Sequence, residues 1–118
     1  MKTSSDPRHK RREKIVKQLY EVGFRDSTRA PLNIKSITDK LKEIDQVITE
    51  CAPEWPINKL NRIDLAILRL ALYELMIEKK VPVKVIIDEA VELGKQYGSE
   101  NSSKFINGVL GTALTKIS

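Results

Sequence analysis

The sequence predicts an all-α fold, and three observations predict it. Apolar residues recur at intervals of three and four in successive stretches, Pro or Gly punctuates the chain between most of them, and no segment alternates apolar and polar residues at the period of a half-buried strand. A chain of 118 residues with 41% hydrophobic content supports one core but not two comfortable domains. A single domain over residues 1–118 is therefore expected, with an N-terminal helical part over 1–52 and a helical bundle over 53–118.

Asp6-Pro7 reads as a helix cap followed by Pro at the first helical position, and Ile15, Val16, Leu19 and Tyr20 continue helix one to Val22-Gly23. Arg8 and Arg12 precede Val16 by steps of four, and Arg11 stands likewise to Ile15 and Leu19, so these arginines prolong the apolar stripe; Lys10, Lys14 and Lys17 mark another face. Residues 25–35, with Pro31 and no periodicity, form a connector holding at most a helical turn. Ser36 followed by Asp39 resembles a helix start, and Ile37, Leu41, Ile44, Val47 and Ile48 carry helix two to Cys51. Pro53 and Pro56 stiffen the next link, whose Trp55 is expected to plug the gap between two helices.

From Ile57 to Glu78 apolar residues cover most of the helix circumference, as expected of a central helix with neighbours on several sides. Pro82 restarts the chain, and Ile86, Ala90, Leu93 and Tyr97 belong to helix four, closed by Gly98. Asn101 or Ser102 caps helix five, in which Phe105, Ile106, Val109, Leu110, Ala113, Leu114 and Ile117 form a wide apolar face. Gly108 and Gly111 cost that helix about 1 kcal/mol each relative to Ala, which a close neighbour would justify.

Charge is distributed unevenly. The first fourteen residues hold six positive and two negative side chains, net +4, against fifteen and fourteen, net +1, in the remaining 104. Cations stacked at a helix N-terminus oppose its partial positive charge and make most sense beside an anion, which points to nucleic acid. The competing reading is a solvated chain end. His9, the single histidine, falls inside this cluster and is expected to be another donor to phosphate.

Few groups suit catalysis, and no catalytic residue, metal site or cofactor is assigned. Cys51 is the only cysteine and allows no internal disulfide, which fits a reducing compartment. No glycine cluster lies between a strand and a helix, and Asp88, Glu89 and Glu92 read as a solvated face or as ion-pair partners. The basic terminus precedes no uninterrupted apolar run, so neither a secretory signal nor a membrane span is expected, and the cytoplasm is the expected location. Arg69, set among Ile67, Leu68, Leu70 and Ala71, either finds an acidic partner, with Glu89 the candidate, or snorkels outward beside Arg62.

Three runs, in order, are more specific: Leu60-Asn61-Arg62-Ile63-Asp64 through Leu75 after Trp55, Val81-Pro82-Val83 through Lys95, and Ser102-Ser103-Lys104-Phe105-Ile106-Asn107-Gly108. With the Arg-rich start leading to Gln18-Leu19-Tyr20, they resemble the NusB transcription antitermination family. The resemblance implies an all-helical fold of two small packed bundles and a non-enzymatic role. It also implies binding to boxA-type single-stranded RNA of ribosomal transcripts with the small-subunit ribosomal protein NusE, and contact with other Nus factors and RNA polymerase through that complex. Carried over residue by residue, it assigns RNA contacts to Arg8, Lys10, Arg11, Arg12, Asn101, Lys104 and Phe105, and partner contacts to Asp64 on a separate surface. Phe105 could stack on an unpaired base or belong to the core.

The family usually has two helices where this chain has its eleven-residue connector. About five helices are therefore expected, with helix one docked largely on helix two and the C-terminal bundle, and with uncovered apolar surface that a homodimer could bury. Two rival functions remain: a protein adaptor whose arm binds an acidic protein, and an RNA-recruiting domain working with a ribosomal RNA methyltransferase, whose catalytic βαβ region would have to come from another chain.

Overall fold

A computed structural model describes residues 6–25 and 29–117. Lys2, counted in the basic terminus, and connector residues 26–28 lie outside the described residues. Six α-helices and no strand occur among the described residues: α1 (Pro7–Val22), α2 (Lys35–Thr38), α3 (Leu41–Cys51), α4 (Arg62–Tyr73), α5 (Val83–Tyr97) and α6 (Ser102–Ile117). The all-α expectation holds, with one more helix than expected.

The start of α1 forms as its sequence predicts: the Asp6 carboxylate accepts the Arg8 amide at 2.8 Å, with Pro7 at the first helical position. Its end lies at Gly23, whose φ of 53° favours glycine and whose amide donates to the Leu19 carbonyl. Among the described connector residues, Leu32–Ile34 form a 3₁₀ turn. The single helix expected over Ser36–Cys51 is instead broken: α2 begins at Lys35, Asp39 and Lys40 form a turn, and α3 begins at Leu41. The break lets Ile34, Ile37, Ile44 and Ile48 all enter the core, overriding local helical periodicity.

The helix expected from Ile57 is also shorter. Ile57–Lys59 form a 3₁₀ turn, and α4 starts only after Asn61, whose side chain accepts the Ile63 amide at 2.9 Å. Beyond Tyr73 the helix widens into a π turn over Glu74–Glu78, closed by a bond from the Lys79 amide to the Glu74 carbonyl. The central role of α4 is borne out, since every residue from Asp64 to Leu72 is buried. It packs against α1, α3, α5 and α6.

Helix one lies chiefly along α4, so it docks on the C-terminal bundle as expected, while towards helix two it touches chiefly the preceding Leu32–Ile34 turn. Ile15, Val16 and Leu19 are buried there, so the apolar stripe invoked for a homodimer is already covered within one chain. Trp55 is not a core plug: it is 53% exposed. Between α5 and α6 the close approach falls at Gly94, where a Cβ would come within 2.9 Å of the Ile106 side chain and 3.3 Å of the Ser103 backbone. A Cβ at Gly108 or Gly111 would meet open space, so the neighbour expected there is absent among the described residues.

Candidate nucleic-acid interface

The first three turns of α1 divide their cations between two environments. Arg8, Lys10 and Arg11 are exposed, and Arg8 stands outward beside Asp6. Lys14 and Lys17 extend the lysine face, with the Lys17 ammonium 5.7 Å from the centre of the Tyr97 ring.

His9 and Arg12 turn inward, against the expectation that both face RNA. Arg12 is 8% exposed and forks onto Glu74, at 2.9 Å from Nε and 2.8 Å from Nη2, while Nη1 reaches Glu89 at 3.2 Å. The hydrogen bond to Glu74 leads the causes that raise the pKa of this guanidinium, outweighing desolvation. His9 lies with Nδ1 3.2 Å from Glu89 and Nε2 2.8 Å from the Gln96 side-chain oxygen. The reason is helical geometry: residues 9, 12, 16 and 19 share the buried side, so the inner face of α1 continues as an ion-paired seam beyond its apolar part. The π turn carries one of its acids and α5 the other.

Arg69 is likewise corrected. It neither meets Glu89 nor snorkels beside Arg62: at 2% exposure it forks onto Asp45 of α3 at 2.9 and 2.8 Å, and donates to the Gly23 carbonyl at 2.7 Å. The helix break before α3 and the exit of α1 bring these acceptors together, which no spacing in the chain announces. Arg62 instead donates to the Tyr20 carbonyl and stacks over the Tyr20 ring.

At the start of α6 the Asn101 carbonyl accepts the Phe105 amide, and the Ser102 hydroxyl accepts the Ser99 amide at 2.8 Å. Asn101 and Lys104 are exposed. Phe105 is half-buried, packing on the core while lining a depression of about 200 Å³ with Trp55, Lys59, Asp64, Ser99 and Asn101. Of the residues assigned to RNA, Asn101 and Phe105 thus share this depression with Asp64, the residue assigned to a protein partner. Asp64 is 6% exposed, one of its oxygens has no hydrogen-bond partner among the described residues, and burial pushes its carboxyl pKa up despite the Ser102 hydroxyl.

Arg8 and Arg11 line a different cleft, of about 230 Å³, together with Asn33, Ser36, Tyr73 and Lys80. The two groups of expected contacts are thus not in one pocket. Beside the lysine face of α1, Glu13 accepts the Tyr97 hydroxyl and so ties α1 to α5. Sequence reasoning did not assign Trp55 and Tyr97 to this face; their aromatic type was visible, but their exposure depends on the turns that follow Ala52 and Tyr97.

The fold is an all-helical core to which the basic first helix is held by the buried bonds of Arg12 to Glu74 and Glu89. Among the described residues no acid, histidine or cysteine group clusters to hold a metal, and no helix is long and apolar enough to cross a membrane. The chain belongs to the NusB family, whose model matches residues 26–115. It is 53% identical over 75 residues to the transcription antitermination protein NusB of Chloroflexus aggregans, covering 62% of this chain and 50% of that protein. It is 48% identical over 77 residues to NusB of Thermotoga maritima, covering 65% and 54%. The chain spans about half the length of the curated relatives it matches. A solved structure of T. maritima NusB superposes with a TM-score of 0.78 at 36% identity, covering 98% of this chain and 94% of that one.

Proposed function

We propose that this chain is a non-enzymatic, RNA-binding transcription antitermination factor that takes boxA-type single-stranded RNA together with the ribosomal protein NusE, acting in the cytoplasm with other Nus factors and RNA polymerase. The observation that carries the reading is the division of α1. Its inward side chains His9 and Arg12 hold the helix to the core, so Arg8, Lys10 and Arg11 are presented from a fixed scaffold. Fixed cations neutralise phosphates without ordering a flexible arm first.

The exposed Trp55 and the half-buried Phe105 offer faces on which unpaired bases stack, with Asn101 and Lys104 beside them for phosphate and base edges. Arg12 leaves the RNA-binding set and Asp64 remains the partner-contact candidate, since its unsatisfied oxygen suits a donor from a protein or base. A titration of boxA-like against scrambled single-stranded RNA, with and without NusE, tests the reading. Preference for the boxA-like strand, strengthened by NusE, is expected. Equal weak binding of both strands, with affinity for acidic proteins retained, would assign the arm to a protein adaptor.

A further inference from the structure

His9 is the side chain that the RNA reading does not use, and its surroundings are specific. It is 2% exposed on the first turns of α1, between three outward cations at positions 8, 10 and 11. Each ring nitrogen faces an oxygen: Nδ1 lies 3.2 Å from Glu89 Oε1, and Nε2 lies 2.8 Å from Gln96 Oε1, with Glu13 Oε2 at 3.8 Å. Among the described residues, the neighbouring charged groups include Arg12 on α1, which shares Glu89, and Glu74 on the π turn, which holds Arg12. Tyr97 on α5 reaches the same junction through Glu13.

A protonated imidazole donates from both nitrogens and suits this oxygen-lined setting. A neutral ring donates from only one, so the Gln96 amide must turn over, and the bond to the Glu89 carboxylate loses the contribution of the imidazolium charge. We propose that His9 is a proton-operated positioning residue: its protonated ring clamps the first turns of α1 onto α5 and so sets the pose in which Arg8, Lys10 and Arg11 meet RNA. This rests on the RNA reading for its functional consequence, while the clamp itself is a property of the free protein. RNA affinity should then fall as pH rises through the titration of a side chain that never touches RNA.

Because His9 is the only histidine, its ring resonances report its protonation without ambiguity. The test pairs an NMR pH titration of the intact chain with binding of fluorescein-labelled boxA-like RNA at constant ionic strength between pH 5.5 and 8.5, for the parent, His9→Gln and His9→Arg. Parent affinity should weaken by roughly three- to tenfold with a midpoint matching the NMR curve, the scale of a weakened charge-assisted bond. His9→Arg, which keeps a cation with several donors, should bind tightly at every pH, and His9→Gln weakly at every pH. A parent-like pH profile in His9→Gln, or a binding midpoint that departs from the His9 resonance, overturns the proposal. If the parent binds no RNA, the RNA reading fails and the clamp is judged by amide exchange at residues 10–13, corrected for intrinsic rates. Protection that follows His9 protonation supports the clamp, and protection indifferent to it refutes it.

Discussion

Removing one side of the Arg69–Asp45 pair should be more damaging on the aspartate side than on the arginine side. In Asp45→Ala the guanidinium stays at 2% exposure, keeping its bond to the Gly23 carbonyl but losing both carboxylate bonds. Stranding one partner of a buried pair costs about 3–5 kcal/mol, and so deep a cation belongs at the upper end. In Arg69→Met the unbranched stem remains and the stranded carboxylate, 24% exposed in its side chain, turns to water. What is lost is the pair and the donor to the buried Gly23 carbonyl, about 2–3 kcal/mol in total. The double variant buries no unpaired charge and should recover about 1–2 kcal/mol relative to Asp45→Ala alone. Urea denaturation of the four proteins at pH 7 measures the cycle. A double variant less stable than Asp45→Ala, or single losses both below about 1 kcal/mol, would refute the claim that this pair ties α1 and α3 to α4.

Three further outcomes follow from named interactions. Replacing Arg8, Lys10 and Arg11 by Ala should reduce the magnitude of the salt slope of single-strand RNA binding by about 2, at about 0.7 for each phosphate no longer neutralised, whereas Arg12→Ala should destabilise the fold by about 3–5 kcal/mol; fluorescence titrations across salt and urea melts separate these effects. Asp64→Asn should raise the thermal midpoint at pH 7 and give no gain well below pH 3.8, because a carboxyl whose pKa is raised by folding contributes stability at low pH that is lost as pH rises past the unfolded value; melts between pH 3 and 7 check the sign. Gly98→Ala should destabilise by about 1–3 kcal/mol, since its Cβ would collide with the Ser102 side chain, while Gly108→Ala, facing open space, should stabilise by several tenths to about 1 kcal/mol in the same denaturation assay.

Helix existence and the identity of the central element were legible because both are local properties. Asp6-Pro7 and Gly98 bound helices where their chemistry says, and the unbroken apolar circumference of α4 announces a helix with neighbours all round. The basic cluster of α1 and the family motifs around Asp64 and Lys104 were likewise visible as residue types at fixed intervals. By itself, then, the sequence determined an all-helical NusB-family chain with a basic first helix. Tertiary structure decided which charges that helix shows and which it hides. His9 and Arg12 occupy the same cluster as Arg8 and Arg11, and Glu74, Glu89 and Gln96, more than sixty residues away, draw them inward. It also decided that α2 and α3 separate at Asp39 and Lys40, that Asp45 rather than Glu89 receives Arg69, and that Trp55 faces solvent. Each outcome depends on the partner that the folded chain brings within about 3 Å, and hydrogen-bonded ion pairing acts over that distance in space whatever the separation along the chain.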